Sequence, residues 1–131
     1  MKRLILAAAM ALPSLAVAEV VSGVFQTEPG DSGGFLHVQM GPCASNAAFT
    51  CGTILRAYSA DLSPNTGYEH IGKPIVWDME DRGNGNWGRG KIWAPDRDKT
   101  YNSKMHADGN RLTVEGCVAI ICRGQIWQRY E

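Results

Sequence analysis

The densest run of residues able to do chemistry is RGNGNWGRGKIW, residues 82–93. Gly83, Gly85 and Gly88 spell G-x-G-x-x-G, and Gly85 to Lys91 overlaps it as G-x-x-x-x-G-K. Both patterns seat phosphates where a strand precedes the glycines and a helix start follows, because free N–H groups and the helix dipole hold the anion there. Here KIWAP follows and ends at Pro95, so no helix start is available, and Ile92 stands where Ser or Thr would hold a metal. Gly83-Asn84-Gly85-Asn86 therefore reads as a hairpin turn. Gly88 and Gly90 then ease strand curvature or make space opposite bulky side chains.

Other reactive groups are sparse. Asp78, Glu80 and Asp81 form the densest carboxylate group, yet they alternate with apolar residues and lead into a turn, as a solvent-facing row would. Asp96 and Asp98 flank Arg97 and do not make a calcium loop of six or more oxygens. His37, His70 and His106 are scattered without second-ligand spacing, and His37 and His106 fall on outward strand faces. No G-x-S-x-G is present, and Ser103 is the one serine expected to face inward. The sequence thus nominates no catalytic residue, no metal site and no cofactor.

The ends and the composition set the context. Lys2 and Arg3, the apolar run Leu4 to Leu12 and Ala16-Val17-Ala18 have the order of a secretory signal peptide over residues 1–18, with cleavage after Ala18. That leaves a single domain over residues 19–131, exported to the periplasm or beyond, with no transmembrane span in the mature chain. Of 13 basic and 13 acidic residues, Lys2 and Arg3 leave with the leader, so the mature chain carries 11 against 13, a net of −2. Without a concentrated positive field, nucleic-acid binding is excluded. Four cysteines in an oxidising compartment point to disulfides. The short separations favour Cys43 with Cys51 and Cys117 with Cys122 over the other pairings, and C-x7-C and C-x4-C do not fit zinc.

These residues must be positioned by strands. Short β-rich runs alternate with turn clusters, giving strands near residues 20–27, 35–40, 53–59, 74–80, 88–93, 100–107, 111–119 and 125–130. Asp108-Gly109 between two alternating runs is a hairpin signal. The expected fold is all-β, a small antiparallel barrel of about eight strands. Alternation places Leu36, Val38, Met40, Ile75, Trp77, Met79, Tyr101, Met105, Leu112 and Val114 inside, with Val76, Asp78 and Glu80 on the other face.

A longer string carries a resemblance. Trp87 with Gly90-Lys91-Ile92 and Pro95, then Lys99-Thr100-Tyr101, Gly116-Cys117 and the closing Gln125-x-Trp127-x-Arg129 together resemble the exported bacterial family called domain of unknown function 2147, from about Gly23 to Tyr130. The resemblance implies a lipocalin-like barrel with no established activity. It also implies structural roles for Gly23, Phe25, Trp87 and Arg129, with Gly23-Val24-Phe25 in the place of a first-strand G-x-W and Arg129 packing over the aromatic. Phe25 replaces the usual tryptophan, and Asp98 stands where relatives have glycine.

Eight strands lie at the threshold between a filled barrel and one with room for a small ligand. The reading that follows is a non-enzymatic envelope protein binding a small, partly apolar ligand at one mouth. The nominated ligand residues are Trp77, Met79, Tyr101 and Met105, with Lys91 or Arg123 adding a charge at the rim. The alternative is a filled barrel that meets an envelope protein partner through the loop around residues 46–49. An enzyme comes third.

Overall fold

The computed structural model describes residues 17–131, so all but the last two residues of the expected leader lie outside it. Eight antiparallel strands follow one another around a closed barrel: β1 Gly23–Gln26, β2 Phe35–Pro42, β3 Thr50–Tyr58, β4 Pro74–Gly83, β5 Asn86–Ala94, β6 Lys99–Asp108, β7 Arg111–Val118 and β8 Ile121–Arg129. All eight expected strands form. Closure rests on a narrow seam, where β1 meets β8 through Phe25 opposite Arg129 and Gln26 opposite Gln128. The Tyr130 N–H extends that seam by donating to the Val24 carbonyl at 2.7 Å. No helix among the described residues is long and apolar enough to cross a membrane, which says nothing about strands.

The connections separate the two ends of the barrel. Two tight turns join β4 to β5 and β6 to β7 at one end. In the first, Asn84 and Gly85 both take left-handed backbone (φ 55° and 76°), as a two-residue hairpin with right-twisting strands demands. That turn takes up Gly83 and Gly85 of the pattern that imitated a phosphate loop, while Gly88 and Gly90 lie within β5. The β2–β3 loop, residues 43–49, lies at the same end as these two turns, while the loops at residues 27–34, 59–73 and 95–98, together with the β7–β8 turn, gather at the opposite end.

Strands β4 and β5 depart from simple alternation. Against β3, β4 advances from Val76 to Met79 while its partner moves only from Gly52 to Thr50. Against β6, β5 advances from Trp87 to Gly90 while its partner moves from Met105 to Ser103. At each of these two places the strand holds one extra residue, and Asp78 (φ 57°) and Arg89 (φ 59°) take the left-handed backbone of these bulges. The bulges lie side by side, because β4 and β5 remain in step with each other from Trp77–Lys91 to Glu80–Gly88. A Cβ on Gly90 would stand 2.7 Å from the Trp77 carbonyl oxygen, so the approach of the two kinked strands requires glycine there.

This irregularity corrects the expected faces. Val76 is fully buried with Met79, whereas Trp77 turns outward beside exposed Lys91 and is only half-buried. The remaining interior assignments hold: Val38, Met40, Ile75, Met79, Met105, Leu112 and Val114 join Phe25, Ile54, Trp87 and Trp127 in one core, with Leu36 packed against it.

The closed end is plugged by Phe25, Trp87 and Val21. Arg129 covers Phe25 from outside, its guanidinium carbon 4.7 Å from the ring centre and Nη1 donating to the Ser22 carbonyl. The segment before β1 is tied down as well. Trp87 Nε1 donates to the Glu19 carbonyl at 2.9 Å, and the Glu19 N–H donates to an Asp81 carboxylate oxygen at 2.9 Å.

The two disulfides, Cys43–Cys51 and Cys117–Cys122, brace opposite ends. Cys43–Cys51 closes the β2–β3 loop, and Cys117–Cys122 joins directly paired residues beside the β7–β8 turn. Among the described residues no cysteine is free, and the pair indicates an oxidising, non-cytoplasmic environment.

Candidate functional site

Because consecutive strands run antiparallel, every second loop returns to the same end, and the β1–β2, β3–β4, β5–β6 and β7–β8 connections ring a mouth. Inside it lies a cavity of about 920 Å³. Leu36, Ile75, Ile92, Tyr101, Val114 and Trp127 give the cavity apolar walls, and Tyr68 and Trp93 stand at its edge. Below it the closed half is filled by Val38, Met40, Ile54, Met79, Met105 and Leu112. The barrel is therefore half filled and half open.

Polar groups concentrate at the rim, where Glu28, Asp31 and Asp96 face Arg97 and Arg123. Glu28 is held in place, one carboxylate oxygen accepting from the Ile126 N–H at 3.0 Å. Asp98 shapes the β5–β6 loop in left-handed backbone (φ 48°) and accepts from Trp93 Nε1 at 2.9 Å. Asp tolerates that backbone better than most residues, and its carboxylate fixes the indole as glycine could not. Burial pushes the Tyr68 phenol up, with Asp96 and Glu69 adding to the effect, so it stays protonated and available as a hydrogen-bond donor.

Of the five residues nominated for ligand contact, the structure brings only Tyr101 to the cavity. Met79 and Met105 point inward but lie buried in the filled half. Trp77 and Lys91 lie on the outer surface for the reason given above, and Lys91 is engaged by the Asn102 side chain. Arg123 does reach the rim. The missed contributors, Ile92, Trp93, Tyr68 and Trp127, sit beside or beneath the connections that ring the mouth, and loop parity in an up-and-down barrel was the signal that could have found them.

A second concavity, of about 640 Å³, lies on the outside along β5 and β6, over the β5 bulge at Arg89. Arg82, Arg89, Lys91 and Lys104 line it along with Glu115, which pairs with Lys104 at 3.6 Å. It is a charged surface depression, unlike the apolar interior.

The remaining reactive groups are engaged structurally. His37 does sit on the outward face but is 2% exposed, a correction to its expected solvation. Phe35, Tyr58 and Tyr130 pack around its ring. Arg56 Nε donates to its Nδ1 at 3.2 Å, which leaves Nε2 to donate to Gln26 Oε1 at 3.0 Å. Burial and then the Arg56 charge lower its pKa, against an opposing pull from Glu131, so the ring is neutral. Ser103 is buried and spends its hydroxyl on the Glu115 carbonyl. Asp78 approaches Cys43 and Cys51, but both sulfurs are in the disulfide and supply no thiolate for a metal.

Comparisons with known proteins agree with this architecture. The sequence model of the family described as "Uncharacterized protein conserved in bacteria (DUF2147)" matches residues 23–129. No curated protein matches the sequence. Among solved structures, the fold is similar to protein HP1028 from the human pathogen Helicobacter pylori, described as belonging to the lipocalin family. The TM-score is 0.63 at 14% identity, covering 84% of this chain and 82% of that one. At that identity the likeness concerns the fold.

Proposed function

This chain belongs to the DUF2147 family of bacterial proteins, and from that premise we propose that it is an exported barrel that takes a small, partly apolar ligand into its open end. The observation that carries this reading is the 920 Å³ cavity with apolar walls and a polar rim. Ligand sites typically occupy about 300–1,000 Å³, with few polar groups set against apolar walls. Leu36, Ile92, Val114 and Trp127 would hold the apolar part of the guest, and Tyr101, Tyr68, Arg97 and Arg123 would meet its polar end. Two disulfides support action outside the cytoplasm, after loss of residues 1–18.

Gly116 offers a clean test. A Cβ there meets Ile92 and Tyr101 at 3.4–3.5 Å, ordinary contact, and Gly116 lines the cavity, so a larger side chain there would occupy the guest's space. Native mass spectrometry of protein drawn from the exported compartment is expected to show the chain without residues 1–18, less four thiol hydrogens, plus one discrete bound mass. Gly116→Phe is expected to keep the fold by circular dichroism and lose that mass. A wild-type protein that carries nothing and takes up no apolar probe would end this reading.

A further inference from the structure

We infer that the β7–β8 turn is a wedge that docks the mouth on a lipid bilayer, and that the guest entering the cavity is an acyl-chain lipid drawn from that surface. The second half rests on the cavity reading above; the first stands on the surface alone. The turn reads Val118-Ala119-Ile120-Ile121, and its three large aliphatic side chains are 63%, 96% and 68% exposed. Three such side chains within four residues at a solvent-facing tip mark an interaction site. The β3–β4 loop at the same end adds Leu62, 71% exposed. The turns of the closed end, Asn84-Gly85 and Gly109-Asn110, are polar by contrast.

The tip is held out rather than folded over the mouth. Cys117 and Cys122, directly opposed in the ladder and bonded through sulfur, clamp the two strands next to the turn. Val118 and Ile121 also line the cavity, so apolar surface continues from the tip to Ile92, Tyr101 and Val114. A molecule leaving a membrane along that path would keep its chain out of water.

Size and charge decide the occupant. A stable protein interface takes roughly 20–30 residues a side, far more than this narrow tip presents. Entry into the outer part of a bilayer needs only a few aliphatic side chains reaching about 5–10 Å deep. Arg97, Lys99 and Arg123 near the mouth are balanced by Glu28, Asp31 and Asp96, so neither sign dominates. Docking therefore depends on aliphatic insertion and only weakly on headgroup charge or salt.

The test uses residues 19–131, so that the apolar leader does not itself bind, with vesicles of neutral phosphatidylcholine and of the same lipid doped with phosphatidylglycerol. The protein is expected to float with both, with little change on adding salt. Tryptophan in Ile120→Trp is expected to be quenched by lipids brominated on their acyl chains. Combining Ile120→Ser and Ile121→Ser is expected to weaken partitioning at least about tenfold, since each full aliphatic burial carries about that factor or more. Equal partitioning of wild type and double variant, absence of flotation, or binding confined to anionic vesicles and abolished by salt would each overturn the wedge. Gly116→Phe leaves the tip intact and is expected to float normally, so failure of the cavity and failure of the wedge are read separately. A bound mass in wild type that is not an acyl-chain lipid would overturn the assignment of the guest.

Discussion

Trp127→Ala is expected to destabilise the barrel by about 3–5 kcal/mol, the range for deleting a fully buried large aromatic side chain. Trp127 is 1% exposed and is the one buried side chain in β8, whose other residues are exposed or half-buried. It packs in the core cluster, stands opposite Leu112 in the β7–β8 ladder and donates through Nε1 to Gln125 Oε1 at 3.0 Å. Because β8 closes the barrel on β1 through only two ladder pairs, its attachment to the interior depends on this indole. Loss of the side chain should also free strand edges able to pair with other chains. Chemical denaturation checks the magnitude and light scattering the aggregation. Ile126→Ala is the control: that neighbour is 40% exposed and should change stability by no more than about 0.5 kcal/mol. A Trp127 variant as stable as this control would mean that β8 is held mainly by its backbone.

Gly90→Ala is expected to cost about 1–3 kcal/mol, despite adding a single methyl group, because overpacking a closed site forces backbone movement. The added carbon would lie 2.5 Å from Met79 Sδ and 2.7 Å from the Trp77 carbonyl oxygen. A thioether can swing aside, but a carbonyl fixed in a strand cannot. The two contacts are separable in a double-mutant cycle with Met79→Leu, where near-zero coupling is expected if the carbonyl opposes the methyl. Substantial rescue by Met79→Leu would place the conflict at the sulfur instead. Gly88→Ala, two residues away, should be tolerated, since its nearest neighbour is the flexible Arg82 chain at 3.4 Å.

The same pair of strands shows where sequence reasoning succeeds and where it stops. Hairpin chemistry was readable, because Asn84-Gly85 and Gly109 supply left-handed backbone that few other residues accept. Strict alternation along β2, β6 and β7 correctly placed Leu36, Val38, Met40, Met105, Leu112 and Val114. The short cysteine separations correctly indicated the bridges, since each spans one connection. A period of two has no means of announcing an extra residue, however. Asp78 and Arg89 are unremarkable by type, and their left-handed backbone arises from the packing of β4 against β3 and β5 against β6. One bulge was enough to move Trp77 outside and Val76 inside. A pocket at one mouth was expected, but most of its lining was misassigned, because which side chains meet there depends on where the connections gather in the assembled barrel.

At the other end, the Glu19 N–H rests on Asp81, and cleavage after Ala18 would give that contact a chemical meaning. In a chain that continues through Ala18, that nitrogen is a neutral amide. In a chain cut after Ala18, the same nitrogen becomes an α-ammonium already standing on a carboxylate, so the cut converts a hydrogen bond into an ion pair without moving an atom. The Glu19 and Gly83 N–H groups already hold the Asp81 carboxyl below the usual carboxylate range. The pair would be complete above the ordinary Asp value of about 3.9 and lost on acidification. At the alkaline side it would persist past the usual α-amino value of about 7.7–8.0 and fade once the amine loses its proton. A proton titration of the terminal amine reads this directly: a raised value marks the ion pair, and an ordinary one means the cut leaves the nitrogen free in solvent. The leader would then act as a protecting group, and its removal would charge the plug of the barrel.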